Sequence, residues 1–147
     1  MFVAALLSQI LLLLYNQLIS TVNLFPFNHI HAHDSEDFYI QNVVATTFLG
    51  LAPFGFFFQI PILMVFGTGL IAVHLVLELV TWWVPYLSKP TIAWSQTYNR
   101  IYKPTLVLLP GKEKKTVPNT EHVVLHGLAL LTLVLSTVYL VNSWPIQ

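Results

Sequence analysis

The sequence predicts an all-α polytopic membrane protein, with four transmembrane helices in an antiparallel bundle and a short interfacial helix between the third and the fourth. Two observations predict this fold class. Of the 147 residues, 56% are hydrophobic and 8% are charged, whereas about 25% are charged in a typical soluble domain. The length also suits about four crossings of about 20 residues each, so we expect a single transmembrane domain over residues 1–147.

The first transmembrane helix is predicted over about residues 2–22, which carry no formal charge. A cleaved secretory signal is the alternative, but it would need a basic start and a small-residue cleavage site, which this stretch lacks. Residues 23–37 then form a polar loop, called loop one from here on. Pro26 disfavours a helix in this loop, and the three histidines of the loop occupy alternate positions.

The second and third helices are predicted over about residues 38–52 and 61–84. Pro53 and Pro61 bracket an apolar turn between them, because proline interrupts the backbone hydrogen-bond ladder of a helix. A single helix over both segments would be about 70 Å long, more than twice the thickness of the hydrocarbon core. Two antiparallel crossings fit the bilayer better.

The third helix is predicted to end at Pro85, next to an interfacial aromatic belt of Trp82, Trp83 and Tyr86. The connection that follows covers residues 87–118. It holds every basic residue of the chain: Lys89, Arg100, Lys103, Lys112, Lys114 and Lys115. Aromatic and aliphatic residues near helical spacing between Pro90 and Pro104 predict a short helix on the membrane surface, with a packed loop as the alternative.

The fourth helix is predicted over about residues 120–142. Asn119 or Thr120 suits its N-cap, and Glu121 suits the positive end of the helix dipole. Trp144 marks the far interface. Two crossings separate loop one from the basic connection, so both are expected on one face of the membrane. The positive-inside rule predicts that this face is cytoplasmic and that the termini lie on the opposite side.

Four ionisable residues lie inside predicted membrane segments: His74, Glu78, His122 and His126. Such side chains cost several kcal/mol in hydrocarbon, which makes them a functional-site hypothesis by default. His74 with Glu78, and His122 with His126, are each spaced i, i+4, so each pair shares a helical face. All four are expected roughly 5 to 15 Å below the same interface.

The leading hypothesis is a divalent metal, either zinc, iron or manganese, held by His74, Glu78 and one or both of His122 and His126. The protein would then be a metal-dependent membrane enzyme acting on a lipidic or amphipathic substrate, with Glu78 as ligand or general base. Loop one offers further side chains that could hydrogen-bond to the metal ligands, bind a second metal or form a lid: His29, His31 and His33, with Asp34, Glu36 or Asp37. The chain has no cysteine, which excludes thiolate ligands and disulfides.

Other functions fit the same residues. A glutamate and a histidine facing each other can pair only to fix helix packing, as in an accessory subunit of a larger membrane complex. The cluster can also relay protons or ions, or bind haem between His74 and His126, although no other haem signature is present. The apolar composition predicts the lipid bilayer as partner, and the formal net charge of zero gives no reason to expect nucleic acid.

Two known patterns bear on the choice. The H-x-x-x-H spacing of His122 and His126 resembles one histidine box of the membrane di-iron hydroxylases and desaturases. The further boxes of that family, with adjacent histidines, are absent, so no residue role is transferred. The H-E-x-x-H pattern of metalloproteases is also missing.

Overall fold

The computed structural model describes residues 1–110 and 116–143, except the side chains of Ser35 and Asp37. Lys112, Lys114, Lys115 and Trp144, which the sequence analysis singled out, lie outside this part. The described residues form only helices, as predicted: α1 (Phe2–Thr21), α2 (Ser35–Phe57), α3 (Pro61–Leu87), α4 (Ile92–Ile101) and α5 (Thr120–Ser143), with a short 3-10 helix over Ile30–Ala32. Four of them, α1, α2, α3 and α5, are long and apolar enough to cross a membrane.

Two prolines that were predicted to end helices lie inside them instead. α2 continues through Pro53 to Phe57, and α3 continues through Pro85 to Leu87. An internal proline removes one bond of the backbone ladder, whereas a helix end leaves up to four carbonyls without intrahelical partners. Ending inside hydrocarbon is therefore more costly than tolerating the proline.

The turn between α2 and α3 is shorter than predicted, covering only Phe58 to Ile60. Gln59 has φ of 52°, the left-handed conformation that commonly closes a helix. The Ile60 N–H donates to the Gly55 carbonyl at 2.9 Å, and the Gln59 N–H donates to the Phe56 carbonyl at 3.1 Å. These bonds satisfy carbonyls at the end of α2 before Pro61 begins α3.

Each spanning helix packs against two others: α1 and α3 each contact both α2 and α5. The largest buried cluster joins all four: Leu12, Ile19, Leu49, Ala52, Ile71, Leu75, Leu125 and Ala129. α2 and α3 approach each other closely at Gly67, where an added Cβ atom would lie 2.6 Å from both Cα and N of Ala52. Small residues allow such contacts between membrane helices.

Loop one and the segment after α4 meet at one end of the helices. The Leu106 N–H donates to the Pro26 carbonyl at 2.8 Å, and the Thr120 N–H donates to the Leu106 carbonyl at 2.8 Å. An ion pair between Asp34 and Arg100, at 2.8 Å, joins loop one to α4. Loop one and the described part of the basic connection are therefore in direct contact.

Candidate functional site

Three side chains from α3 and α5 form a hydrogen-bonded chain at this end. The Trp83 Nε1–H donates to His126 Nδ1 at 3.0 Å, and His126 Nε2 lies 3.3 Å from Glu78 Oε2. An indole nitrogen can only donate, so His126 Nδ1 accepts, and the proton of the neutral ring lies on Nε2. His126 therefore directs an N–H at the Glu78 carboxylate. We call this set the Trp83–His126–Glu78 chain.

His122 lies one turn before His126 but has different partners. Its Nδ1 is 2.6 Å from Asn119 Oδ1, and its ring centroid is 4.0 Å from that of Trp82. Asn119 donates its Nδ2 to Thr105 Oγ1 at 3.1 Å, which leaves Oδ1 as the acceptor facing His122. The two histidine rings of α5 are 6.2 Å apart. His122 is thus fixed between a cap residue and an aromatic ring.

His74 lies one turn before Glu78 on α3. The residue is 8% exposed, and its Nε2 has no hydrogen-bond partner among the described residues. Burying an imidazole nitrogen without a partner costs roughly 1 to 3 kcal/mol, so this atom requires an explanation.

The four predicted site residues all lie at the same end, and the structure brings Glu78 and His126 together. Among residues 1–110 and 116–143, no three histidine or acidic side chains are arranged so that they could hold a metal. His126 already directs its two ring nitrogens at Trp83 and Glu78. Metal or haem binding by these residues therefore stays a prediction that rests on sequence spacing alone.

Among the loop-one histidines, His33 lines a cavity that His74, Glu78 and His122 also line, whereas His29 and His31 do not line it. His29 packs edge-on against Phe25, and His31 is exposed. His33 packs on Phe38 with ring centroids 4.4 Å apart. Burial, reinforced by the nearby positive charge of Arg100, lowers the pKa of His33.

A cavity of about 650 Å³ opens beside the Trp83–His126–Glu78 chain. We call it the polar cavity. Its polar wall includes Asn16, His74, Glu78, Glu121, His122 and Arg100, and its apolar wall includes Val44, Phe48, Leu77, Trp82, Trp94 and Tyr102. A volume of several hundred cubic ångströms with a few polar groups on an apolar wall is typical of small-molecule sites.

Sequence reasoning missed three contributors to this site. Glu121 was assigned only to the dipole of α5, yet it lines the polar cavity. Trp82 and Trp83 were assigned to an interfacial belt, yet their rings contact His122 and His126. One signal was available: Glu121 and His122 are adjacent ionisable residues at the start of an apolar segment.

Tyr102, which follows α4 outside the spanning helices, is affected by the acidic groups that line the polar cavity. Burial raises its pKa, and the negative charges of Glu121 and Glu78 raise it further. The neighbourhood therefore disfavours a further anion.

Comparison with known proteins adds no assignment: no family model, no curated protein and no solved structure matches the chain.

Proposed function

We propose that the protein is a small integral membrane enzyme that transfers a proton to or from an amphipathic molecule bound in the polar cavity, with Glu78 as the catalytic acid or base. The observation that carries the proposal is the Trp83–His126–Glu78 chain at the cavity wall. A carboxylate that lines a cavity and accepts a hydrogen bond from a histidine that a third group orients is a recurring arrangement of proton-transfer sites.

Each member of the Trp83–His126–Glu78 chain has a separate role in this proposal. Trp83 holds Nδ1 of His126, so the imidazole gains a second proton only by breaking that bond. His126 then acts through Nε2–H as a donor that stabilises the Glu78 anion. Glu78 is the member that lines the cavity, and it takes up and releases the proton. His126 and Trp83 are positioning residues in this scheme.

The proposal includes the placement of the protein in the bilayer. Contacts support an antiparallel bundle, because α1 meets α5 with Phe2 beside Tyr139 near one end, and with Tyr15 bonded to the Glu121 carbonyl near the other. α4 would lie at the membrane surface on the side of loop one. Following the positive-inside rule, that side would be cytoplasmic, with the termini on the opposite side.

The location of the polar cavity suits a lipidic or amphipathic substrate. It lies at the end of the spanning helices, where headgroups meet hydrocarbon, and it combines charged groups with Val44, Phe48 and Leu77. A molecule with a polar head and an apolar body would meet a matching wall with each part.

The test compares wild-type protein with Glu78→Gln in lipid nanodiscs. Each sample is incubated with an extract of the host membrane's lipids and hydrophobic metabolites, and the products are compared by mass spectrometry. We expect at least one compound to be converted by the wild type and not by Glu78→Gln, because an amide cannot exchange protons as a carboxylate does. Lys103→Gln, an exposed change outside the polar cavity, is the control and should retain conversion. Equal conversion by wild type and Glu78→Gln would refute the proposal.

A further inference from the structure

We infer that the polar cavity selects an amphipathic molecule whose head group is a cation, such as a protonated long-chain amine that also carries an oxygen acceptor. This inference rests on the proposed function, since it names the substrate class of the same site. Three independent features of the cavity wall support it: its charge, its aromatic rings and its unpartnered polar atoms.

Among the described residues that line the polar cavity, acidic side chains outnumber lysine and arginine. Three carboxylates, Asp34, Glu78 and Glu121, face one basic side chain, Arg100. Arg100 is already paired with Asp34 at 2.8 Å, and the two side chains are 54% and 68% exposed. That pair therefore belongs to the rim. Of the described residues, those nearest Glu78 and Glu121 are histidines and an asparagine rather than lysine or arginine.

Carboxylates in a partly buried cavity favour a positive ligand. The Glu121 side chain is 12% exposed and that of Glu78 is 24% exposed, so water screens them only in part. An ammonium group placed between them would replace the missing solvation by direct hydrogen bonds. A carboxylate or phosphate head group would instead place a negative charge beside these two acidic side chains at low dielectric.

Aromatic rings make up the adjacent wall. The ring centroid of Trp82 lies 5.3 Å from that of Trp94 and 4.6 Å from that of Tyr102, and both pairs are edge-on. Edge-on packing turns neighbouring ring faces in different directions, which is the arrangement found in aromatic cages for ammonium groups. Cation–π contacts and the two carboxylates would act on the same head group.

The unpartnered polar atoms point to a ligand rather than to a purely structural cluster. In the part of the chain that the structure describes, Asn16 Nδ2, His74 Nε2 and Trp94 Nε1 are buried without partners, and all three residues line the polar cavity. Asn16 is 4% exposed and His74 is 8% exposed, so both side chains are more than nine-tenths buried. Amide and indole N–H groups need an acceptor, which explains the oxygen beside the ammonium.

The experiment uses three probes of equal chain length: decylamine, decanol and decanoate. The full-length protein is placed in nanodiscs of zwitterionic lipid at neutral pH, and binding is followed by tryptophan fluorescence and native mass spectrometry. Empty nanodiscs give the partition of each probe into lipid. After that correction, we expect decylamine to bind at least about tenfold more tightly than the other two.

Variants separate the carboxylates from general effects on the fold. Glu121→Gln should reduce the preference for decylamine over decanol by about tenfold, while binding of decanol stays the same. Lys103→Gln should leave the preference unchanged. If Glu121→Gln does not fold, the three probes on wild-type protein still decide the question. Equal binding of all three probes, or tighter binding of decanoate, would overturn the inference.

The two proposals fail in different ways. Amine-selective binding without any Glu78-dependent conversion would remove the proposed enzyme and keep the ligand class. Glu78-dependent conversion without a preference for a cationic head group would remove the ligand class and keep the enzyme.

Discussion

Glu78 and His126 are 48 positions apart in the sequence, yet His126 Nε2 lies 3.3 Å from Glu78 Oε2. Two helices that the chain reaches by separate crossings, α3 and α5, supply the two groups. The contact is directional because Trp83, five residues after Glu78 on α3, donates to the opposite nitrogen of the same imidazole. One helix thus provides both the carboxylate and the donor that orients its partner.

The first prediction concerns Trp83. Trp83→Phe keeps an aromatic ring but removes the donor to His126 Nδ1, so the imidazole should populate both neutral tautomers. Nitrogen NMR of labelled histidine should show Nδ1 losing its purely unprotonated character, and turnover of any Glu78-dependent substrate should fall by about tenfold. Tyr86→Phe is the control, because it keeps the ring that packs edge-on against Trp83 and removes only a hydroxyl that donates to the Pro110 carbonyl at 3.4 Å. Unchanged nitrogen shifts in Trp83→Phe would contradict the tautomer assignment.

The second prediction tests the metal expected from sequence spacing. A metal held by His74, Glu78 and a histidine of α5 should co-purify stoichiometrically in mild detergent. It should be lost in His74→Ala and Glu78→Ala and kept in His29→Ala. Element analysis measures zinc, iron and manganese, and a Soret band would identify haem instead. Metal-free protein with Glu78-dependent activity would leave proton transfer as the chemistry.

The third prediction concerns packing between α2 and α3. A Cβ at Gly67 would lie 2.6 Å from backbone atoms of Ala52, so Gly67→Ala must separate the two helices and should lower the free energy of unfolding by about 1 to 3 kcal/mol. Gly69→Ala is the matched control on the same helix, because a Cβ there would have no described atom within 4 Å apart from the neighbouring backbone of α3 itself. It should be neutral or stabilising by up to about 1 kcal/mol. Unfolding in mild detergent measures both, and equal stabilities would refute the close contact.

The fourth prediction follows from His33. Its folded pKa is lowered, mainly by burial, so the unfolded state takes up this proton first as the pH falls below about 6.5. The stability linked to His33 is therefore fully present above that pH and is lost as the pH falls through the folded pKa. His33→Gln should flatten the dependence of stability on pH in this range, as followed by thermal unfolding. His31→Gln, an exposed change two residues away, should leave the profile as it is.

The sequence predicted the helices well because membrane segments are selected by length and apolarity, which are local properties. The ends of α2 and α3 were predicted too early, at Pro53 and Pro85. The prediction considered the cost of a proline inside a helix but not the larger cost of ending a helix in hydrocarbon. The positions of the two turns around α3 therefore came out too early by several residues.

The candidate site was predicted in part. Spacing placed His74 and Glu78 on one face of α3, and His122 and His126 on one face of α5. Spacing does not determine how far each helix is rotated about its axis, and rotation is what brings His126 to Glu78 and turns His122 towards Asn119 and Trp82. The hydrogen bond from Trp83 to His126 depends on that rotation as well. The sequence position of Trp83 therefore predicted only a place in an interfacial aromatic belt.

The exposed ion pair between Asp34 and Arg100 lies at the rim of the polar cavity and joins loop one to α4. Exposed ion pairs contribute at most about 1 kcal/mol and weaken with added salt. The ion pair that joins loop one to α4 at the rim therefore breaks readily in thermal motion. Molecules that pass over it should exchange faster as ionic strength rises, even where their equilibrium occupancy changes little.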